Sequence, residues 1–172
     1  HQSAALIRQT KSLDPRVEWK LANLVAGLRA PSEETASFAA HCLEVLSELA
    51  EGAAALPALR ELLQCPNPRI RSKATLLIGH INRNPQWAKW EDVNHDPRVG
   101  ATAVESIWGL DTFAAKEVFR KAAEAERPRQ ATNGAVGLYL ARERESIALL
   151  FRFARDERGD FRAAAAWGMG RA

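Results

Sequence analysis

One phrase returns along this chain and narrows the possible folds more than anything else in it. It reads DPRVEWKLANLVAGL from Asp14, NPRIRSKATLLIGHI from Asn67, DPRVGATAVESIWGL from Asp96, RPRQATNGAVGLYLA from Arg127 and RGDFRAAAAWGMGRA from Arg158. The last four begin 29, 31 and 31 residues apart. A period of that length holds two helices and their turns, and a helix pair that cannot bury its apolar stripe alone must stack on its neighbours.

Within the phrases the apolar residues fall at intervals of four, four and three. Val17, Leu21, Val25 and Leu28 do so, as do Ile70, Ala74, Ile78 and Ile81; Val99, Ala103, Ile107 and Leu110; and Phe161, Ala165, Met169 and Ala172. That spacing draws one stripe down an α-helix. Phe38, Cys42, Leu46 and Leu49 form a looser copy. Asp14, Asn67 and Asp96 each precede Pro, the arrangement in which an Asx side chain caps a helix and Pro takes its first position. Between phrases a second helical pattern runs through Leu56, Leu59, Leu62 and Leu63, then Ala115, Val118, Phe119 and Ala122, then Ile147, Leu150, Phe151 and Ala154.

These spacings predict an all-α chain: an α-solenoid of stacked antiparallel helix pairs, about five of them. Residues 1–50 form an atypical start, with long helices from Asp14 to about Leu28 and from Ser32 to about Ala50, and repeat units follow at 54–83, 85–110, 111–141 and 142–172. At the far end, FRAAAAWGMG is an apolar finish where a terminal repeat should show a polar outer face.

The phrases resemble HEAT-like repeats, particularly the short bacterial type of phycobilin lyases, whose second helix reads Asp-Pro-x-Val-Arg, then small residues and a late Leu-Gly-x-Leu. The likeness spans most of residues 14–172. Its Val-Arg pair is matched by Ile70-Arg71 and Phe161-Arg162, whereas Glu18 follows Val17, Gly100 follows Val99, and Gln130 replaces the Val. The resemblance implies a HEAT-like repeat fold and leaves the function open.

Composition narrows the functional classes. At 172 residues with 47% hydrophobic and 26% charged, the chain is suited to one domain. Eighteen of its 24 basic residues are Arg, but 21 acids are interspersed and the formal charge is only +3. That balance argues against a nucleic-acid-coating protein while leaving room for one basic groove. Cys42 and Cys65 sit among apolar neighbours and read as reduced, packed thiols. No apolar run reaches the roughly 18 to 20 residues needed to cross a bilayer, so no membrane partner is expected. The chain opens at His1 without a charged-then-apolar leader, the pattern of a trimmed or processed product, and a cytoplasmic location is the expectation.

Residues 83–98, RNPQWAKWEDVNHDPR, depart from the Ala- and Leu-rich background. They stand where the first helix of a repeat belongs and offer Trp87, Trp90 and Val93 at helical spacing. The favoured reading is two rings plugging a shortened helix; the sharper one is a notch edged by a Trp, Asp92 and His95, where a ligand would lodge. Arg69, Arg98 and Arg129, with Arg16, share one place just after each helix start, which would line them along a ridge. They either pair with acids of neighbouring units or face an anionic partner. Trp108 and Tyr139 share the position twelve after the phrase start, as an aromatic pair that either packs or recognises. His80, Asp92, His95 and Asp96 have a metal-like composition without ligand spacing such as His-x-x-x-His, so no metal or other cofactor is expected. No phosphate loop, nucleophile elbow or Cys-His pairing appears, so no catalytic residue is assigned.

The expectation is therefore a non-catalytic scaffold whose concave helical surface takes a protein or peptide, plausibly acidic. Two alternatives come from the resemblance: a phycobilin-lyase-like helper of a tetrapyrrole or acceptor protein, and a DNA-binding protein of the HEAT-like alkylpurine DNA glycosylase type. Trp90-Glu91-Asp92-Val93 has a faint likeness to the latter family's Trp and Asp, but the mild net charge weighs against it.

Overall fold

The computed structural model describes residues 15–47, 50–89 and 96–172, and every regular element among them is helical. Helices α1 (Pro15–Leu28) and α2 (Glu33–Ser47) come first, and a 3-10 turn (Ala50–Ala55) leads into α3 (Leu56–Leu62). Helix α4 (Pro68–Asn82), a second 3-10 turn (Pro85–Lys89) and α5 (Pro97–Glu105) follow. The chain then runs through α6 (Phe113–Ala123), α7 (Pro128–Leu140), α8 (Glu145–Ala154) and α9 (Gly159–Met169). No helix among the described residues is long and apolar enough to cross a membrane.

Two of the three expected Asx-Pro caps act as read, and the third, Asp14, lies outside the described residues. Asn67 accepts from the Arg69 N–H at 2.9 Å and Asp96 from the Arg98 N–H at 2.8 Å, each with Pro at the start of its helix. Thr112 does the same for α6 through the Ala115 N–H. Helix α9 has no cap from Arg158 itself; Asp156 accepts the Arg158 N–H instead. Helix α4 ends on Arg83 in the left-handed region, whose N–H returns to the Gly79 carbonyl.

The phrase helices touch in succession, α4 to α5, α5 to α7 and α7 to α9. The intervening helices lie against them, with α3 on α4, α6 on α7, and α8 on α7 and α9. Where a helix like α6 would precede α5, the described residues hold the turn Pro85–Lys89, which contacts α4, α5 and α6. Small residues set the spacing. A Cβ on Gly134 would lie 2.5 Å from the Ala123 nitrogen and 2.6 Å from the Phe119 carbonyl oxygen, so α6 and α7 meet backbone to backbone. Helix α7 accordingly buries every residue from Ala131 to Leu138.

Two predicted stripes are turned in part from their expected faces, and a third is covered over only part of its length. On α2 Ala36 and Ala39 are buried and Phe38 is exposed, because α1 and α2 approach so closely that a Cβ on Gly27 would touch the Ala39 methyl at 2.9 Å. On α8 the buried face is Ser146, Leu150 and Phe153; Ile147 and Phe151 point outward. Along α9 Phe161 and Ala165 are buried, while Met169 and, beyond the helix, Ala172 are exposed.

Arg71 and Arg162, the two matches to the Val-Arg pair, hold their turns identically. Arg71 Nη1 donates to the carbonyls of Cys65 and Pro66 at 2.7 and 2.8 Å. Arg162 Nη1 donates to those of Asp156 and Glu157 at 2.8 and 2.7 Å. Each arginine thus folds back six and five residues and satisfies carbonyls that the turn would otherwise leave without partners. Arg71 does more, since its Nη2 reaches Asp96, the cap of α5, at 2.5 Å.

Candidate functional site

The predicted arginine ridge separates into three different environments. Arg69 pairs with Glu33 of α2 at 3.4 Å, both side chains well exposed, a contact that contributes little. Arg98 is exposed, and its side chain makes no ion pair among the described residues. Arg129 bonds Glu105 of α5 at 3.2 Å and lies over the Trp167 ring of α9, 5.4 Å from its centroid. Two of the three therefore meet acids of neighbouring elements, and Arg129 alone joins an aromatic cluster. The Arg16 side chain is outside the described residues.

That cluster straddles α7. Trp108, just past the end of α5, donates its Nε1–H to the Asn133 carbonyl at 2.9 Å. Asn133 in turn donates its side-chain amide to the Ala101 carbonyl at 2.7 Å, which fixes α7 against α5. From the other side Trp167 meets Trp108 with ring centroids 6.1 Å apart and planes tilted by 38°, a favourable aromatic arrangement. Glu105 is almost buried, and Arg129 is the charge that answers it, so removal of Arg129 would strand a desolvated carboxylate. The outer edge is open: Trp167 is 40% exposed. Arg129 commits Nη2 to Glu105 and keeps further donors of its five N–H groups for another acceptor. Chemically the edge combines a partly exposed indole with guanidinium donors beside it, groups of the kind that meet apolar groups and carboxylates.

The other sequence-predicted residues lie apart from it. Trp87, in the turn Pro85–Lys89, is 2% exposed and belongs to the core, where a Cβ on Gly79 would lie 3.2 Å from its ring. Buried in this way, it cannot wall an open notch. Trp90, Asp92 and His95 lie outside the described residues. Tyr139 does not pair with Trp108; it is exposed at the end of α7 and borders a recess of about 300 Å³ with Ile147, Phe151 and Met169. Among the described residues no three His, Cys, Asp or Glu side chains are placed to hold a metal ion, and Cys42 and Cys65 are both free thiols.

Sequence reasoning missed Trp167 and Glu105. A signal for Trp167 was present, since a Trp set among Ala165-flanking small residues has nothing of its own helix to pack on. Nothing in the sequence marked Glu105, whose role depends on which turn of α5 faces Arg129.

A second polar cluster joins α6 to the turn before α8. Lys116 bonds Asp111 at 2.7 Å and Glu143 at 2.9 Å, and Arg120 bonds Glu143 at 3.2 Å and Glu145 at 3.5 Å. The Lys116 hydrogen bond chiefly holds the Glu143 carboxyl below its ordinary range, and Asp111 above all raises Lys116. Opposite charges are matched here, so the cluster reads as a tie between successive helix pairs. Compared with protein-family models and with curated proteins, the chain matches none of them.

Proposed function

We propose that this protein is a non-catalytic scaffold: a HEAT-like α-solenoid that presents the surface of its phrase helices to an acidic protein or peptide segment. The units would be those read from the repeat, 54–83, 85–110, 111–141 and 142–172, after an atypical first pair. The observation that carries this reading is the open edge over α7, where Arg129 lies on the partly exposed Trp167 ring, while Arg98 at the start of α5 is exposed without an acid partner among the described residues. Continuous contact from α4 through α9 supports a rigid platform beneath it. A rigid surface with aromatic and arginine anchors loses little on ordering when it binds, and these residue types dominate binding hot spots.

Selection from a displayed library of random acidic peptides, followed by titration of the winning peptide, tests the reading. Arg98→Ala with Trp167→Ala should weaken that peptide by about tenfold or more, and binding should fall steeply with added salt. Equal affinity for wild type and the double variant would overturn this assignment of the surface.

A further inference from the structure

Helices α6 and α8 both pack on α7 but scarcely touch each other, and between them runs an open groove of about 520 Å³. Its floor is apolar: Leu138 of α7 and Ala123 of α6 are buried there, and Ala148 and Leu149 line the α8 side. The groove is thus bounded on both flanks by helices that share α7 as a base. Ile147 and Phe151 border a different recess, shared with Tyr139 and Met169.

Four charged side chains rim the groove, two of each sign. Arg120 and Glu145 answer each other at 3.5 Å, and Arg120 also bonds Glu117 and Glu143. Arg152 and Glu124 make no ion pair among the described residues. Arg152 lies over the Phe153 ring, 5.2 Å from its centroid, a contact that leaves its five N–H donors uncommitted. Glu124 caps the C-terminal end of α6, where the partial negative charge of the helix disfavours a carboxylate unless a cation meets it. One cation and one anion therefore stand unanswered beside an apolar floor. A lone anion or a lone cation would satisfy only one of them, whereas a zwitterion satisfies both.

We propose that the α6–α8 groove binds a small zwitterion with an aliphatic body, either a free apolar amino acid or a short apolar peptide with both ends free. Its carboxylate would meet the Arg152 guanidinium, its ammonium Glu124, and its side chains the floor. The volume is in the range of small-molecule sites, and the small Ala123 and Ala148 leave room for a branched aliphatic chain. None of Arg98, Arg129 and Trp167 lines the groove, so the inference stands apart from the acidic-partner surface.

NMR titration of the isotope-labelled protein with L-leucine and with trileucine tests this. At least one probe should shift the methyl signals of Ala123, Leu138, Ala148 and Leu149 in a saturable way. Saturation by leucine assigns the site to a free amino acid, and saturation by trileucine alone assigns it to a peptide. The N-acetyl and C-amide forms of the bound probe, each lacking one charge, should bind about threefold or more weaker. Arg152→Ala and Glu124→Gln should each weaken the zwitterion by a similar factor; both side chains are exposed, so the helical circular dichroism signal should not change. No saturable shift with either probe up to about 20 mM overturns the proposal, because even millimolar binding would show there. So does an N-acetyl form that binds as tightly as the zwitterion, or undiminished binding to either variant.

Discussion

Helices α7 and α9 occupy equivalent places in successive phrases, yet α7 buries every residue from Ala131 to Leu138 whereas α9 leaves Trp167 and Met169 open. Their apolar content does not explain the difference, since both are rich in Ala and Gly with a few large residues. Their neighbours do: α7 is flanked by α5, α6, α8 and α9, while α9 touches α7 and α8. The burial of these helices follows the number of neighbours that pack on them rather than their own composition.

The most severe way to break that contrast is to remove a side chain that the row depends on. Phe119 of α6 is fully buried and packs against Gly137 of α7, so Phe119→Ala should cost about 3–5 kcal/mol in chemical denaturation. Phe151→Ala, 31 residues after Arg120 and exposed, should stay within about 0.5 kcal/mol. Equal losses would mean that the two helix pairs are packed alike.

Gly134→Ala probes the same contrast through the backbone. The added methyl would meet main-chain atoms of α6 that no rotamer change can clear, and the expected loss is about 2–3 kcal/mol despite the better helix propensity of Ala. The counterpart on α9 is already Ala165, buried without difficulty. A thermal melt of Gly134→Ala at the wild-type temperature would show that α6 and α7 separate more readily than their contact implies.

Arg71 and Arg162 form a narrower pair. Both satisfy two turn carbonyls, but Arg71 also spans to Asp96. Arg71→Ala should therefore cost about 2 kcal/mol and Arg162→Ala about 1 kcal/mol. A double-mutant cycle of Arg71→Ala with Asp96→Asn isolates the span, and its coupling should be about 1 kcal/mol.

The period and the cap chemistry made the helices legible in advance: Asn67-Pro68 and Asp96-Pro97 open α4 and α5 as read, since capping is local. Facing was less legible. Phe38 turned outward where Gly27 and Ala39 let α1 and α2 approach closely, and Ile147 and Phe151 did so because Leu150 and Phe153 take the buried face of α8; each choice belongs to two elements at once. The candidate site was half visible for the same reason. Arg129 and Trp108 stand out by repeat position, but their partners Glu105 and Trp167 come from adjacent units, and a linear pattern carries no record of that meeting.

The smallest expected effect is electrostatic and separates the α4–α5 joint from the α6–α8 joint. Burial acts to raise the Asp96 carboxyl, but the Arg71 hydrogen bond and the N–H groups of Arg98 and Val99 outweigh it and hold the group below its ordinary range. Glu143 is held down as well, chiefly by Lys116. A carboxyl depressed in the folded state adds stability that is fully present above its unfolded pKa, about 4, and is lost as the pH falls through the folded value. The wild type should therefore be insensitive to pH from 7 to about 5 and weaken progressively below about 4. In Arg71→Ala part of the Asp96 contribution is already gone, while the Glu143 cluster is untouched. Its acid-induced loss should be smaller than that of the wild type by less than about 1 kcal/mol, read as a shallower decline in urea midpoint between pH 5 and 2.5. Parallel declines in the two proteins would mean that Arg71 serves its own turn alone and that the α4–α5 joint rests on apolar packing.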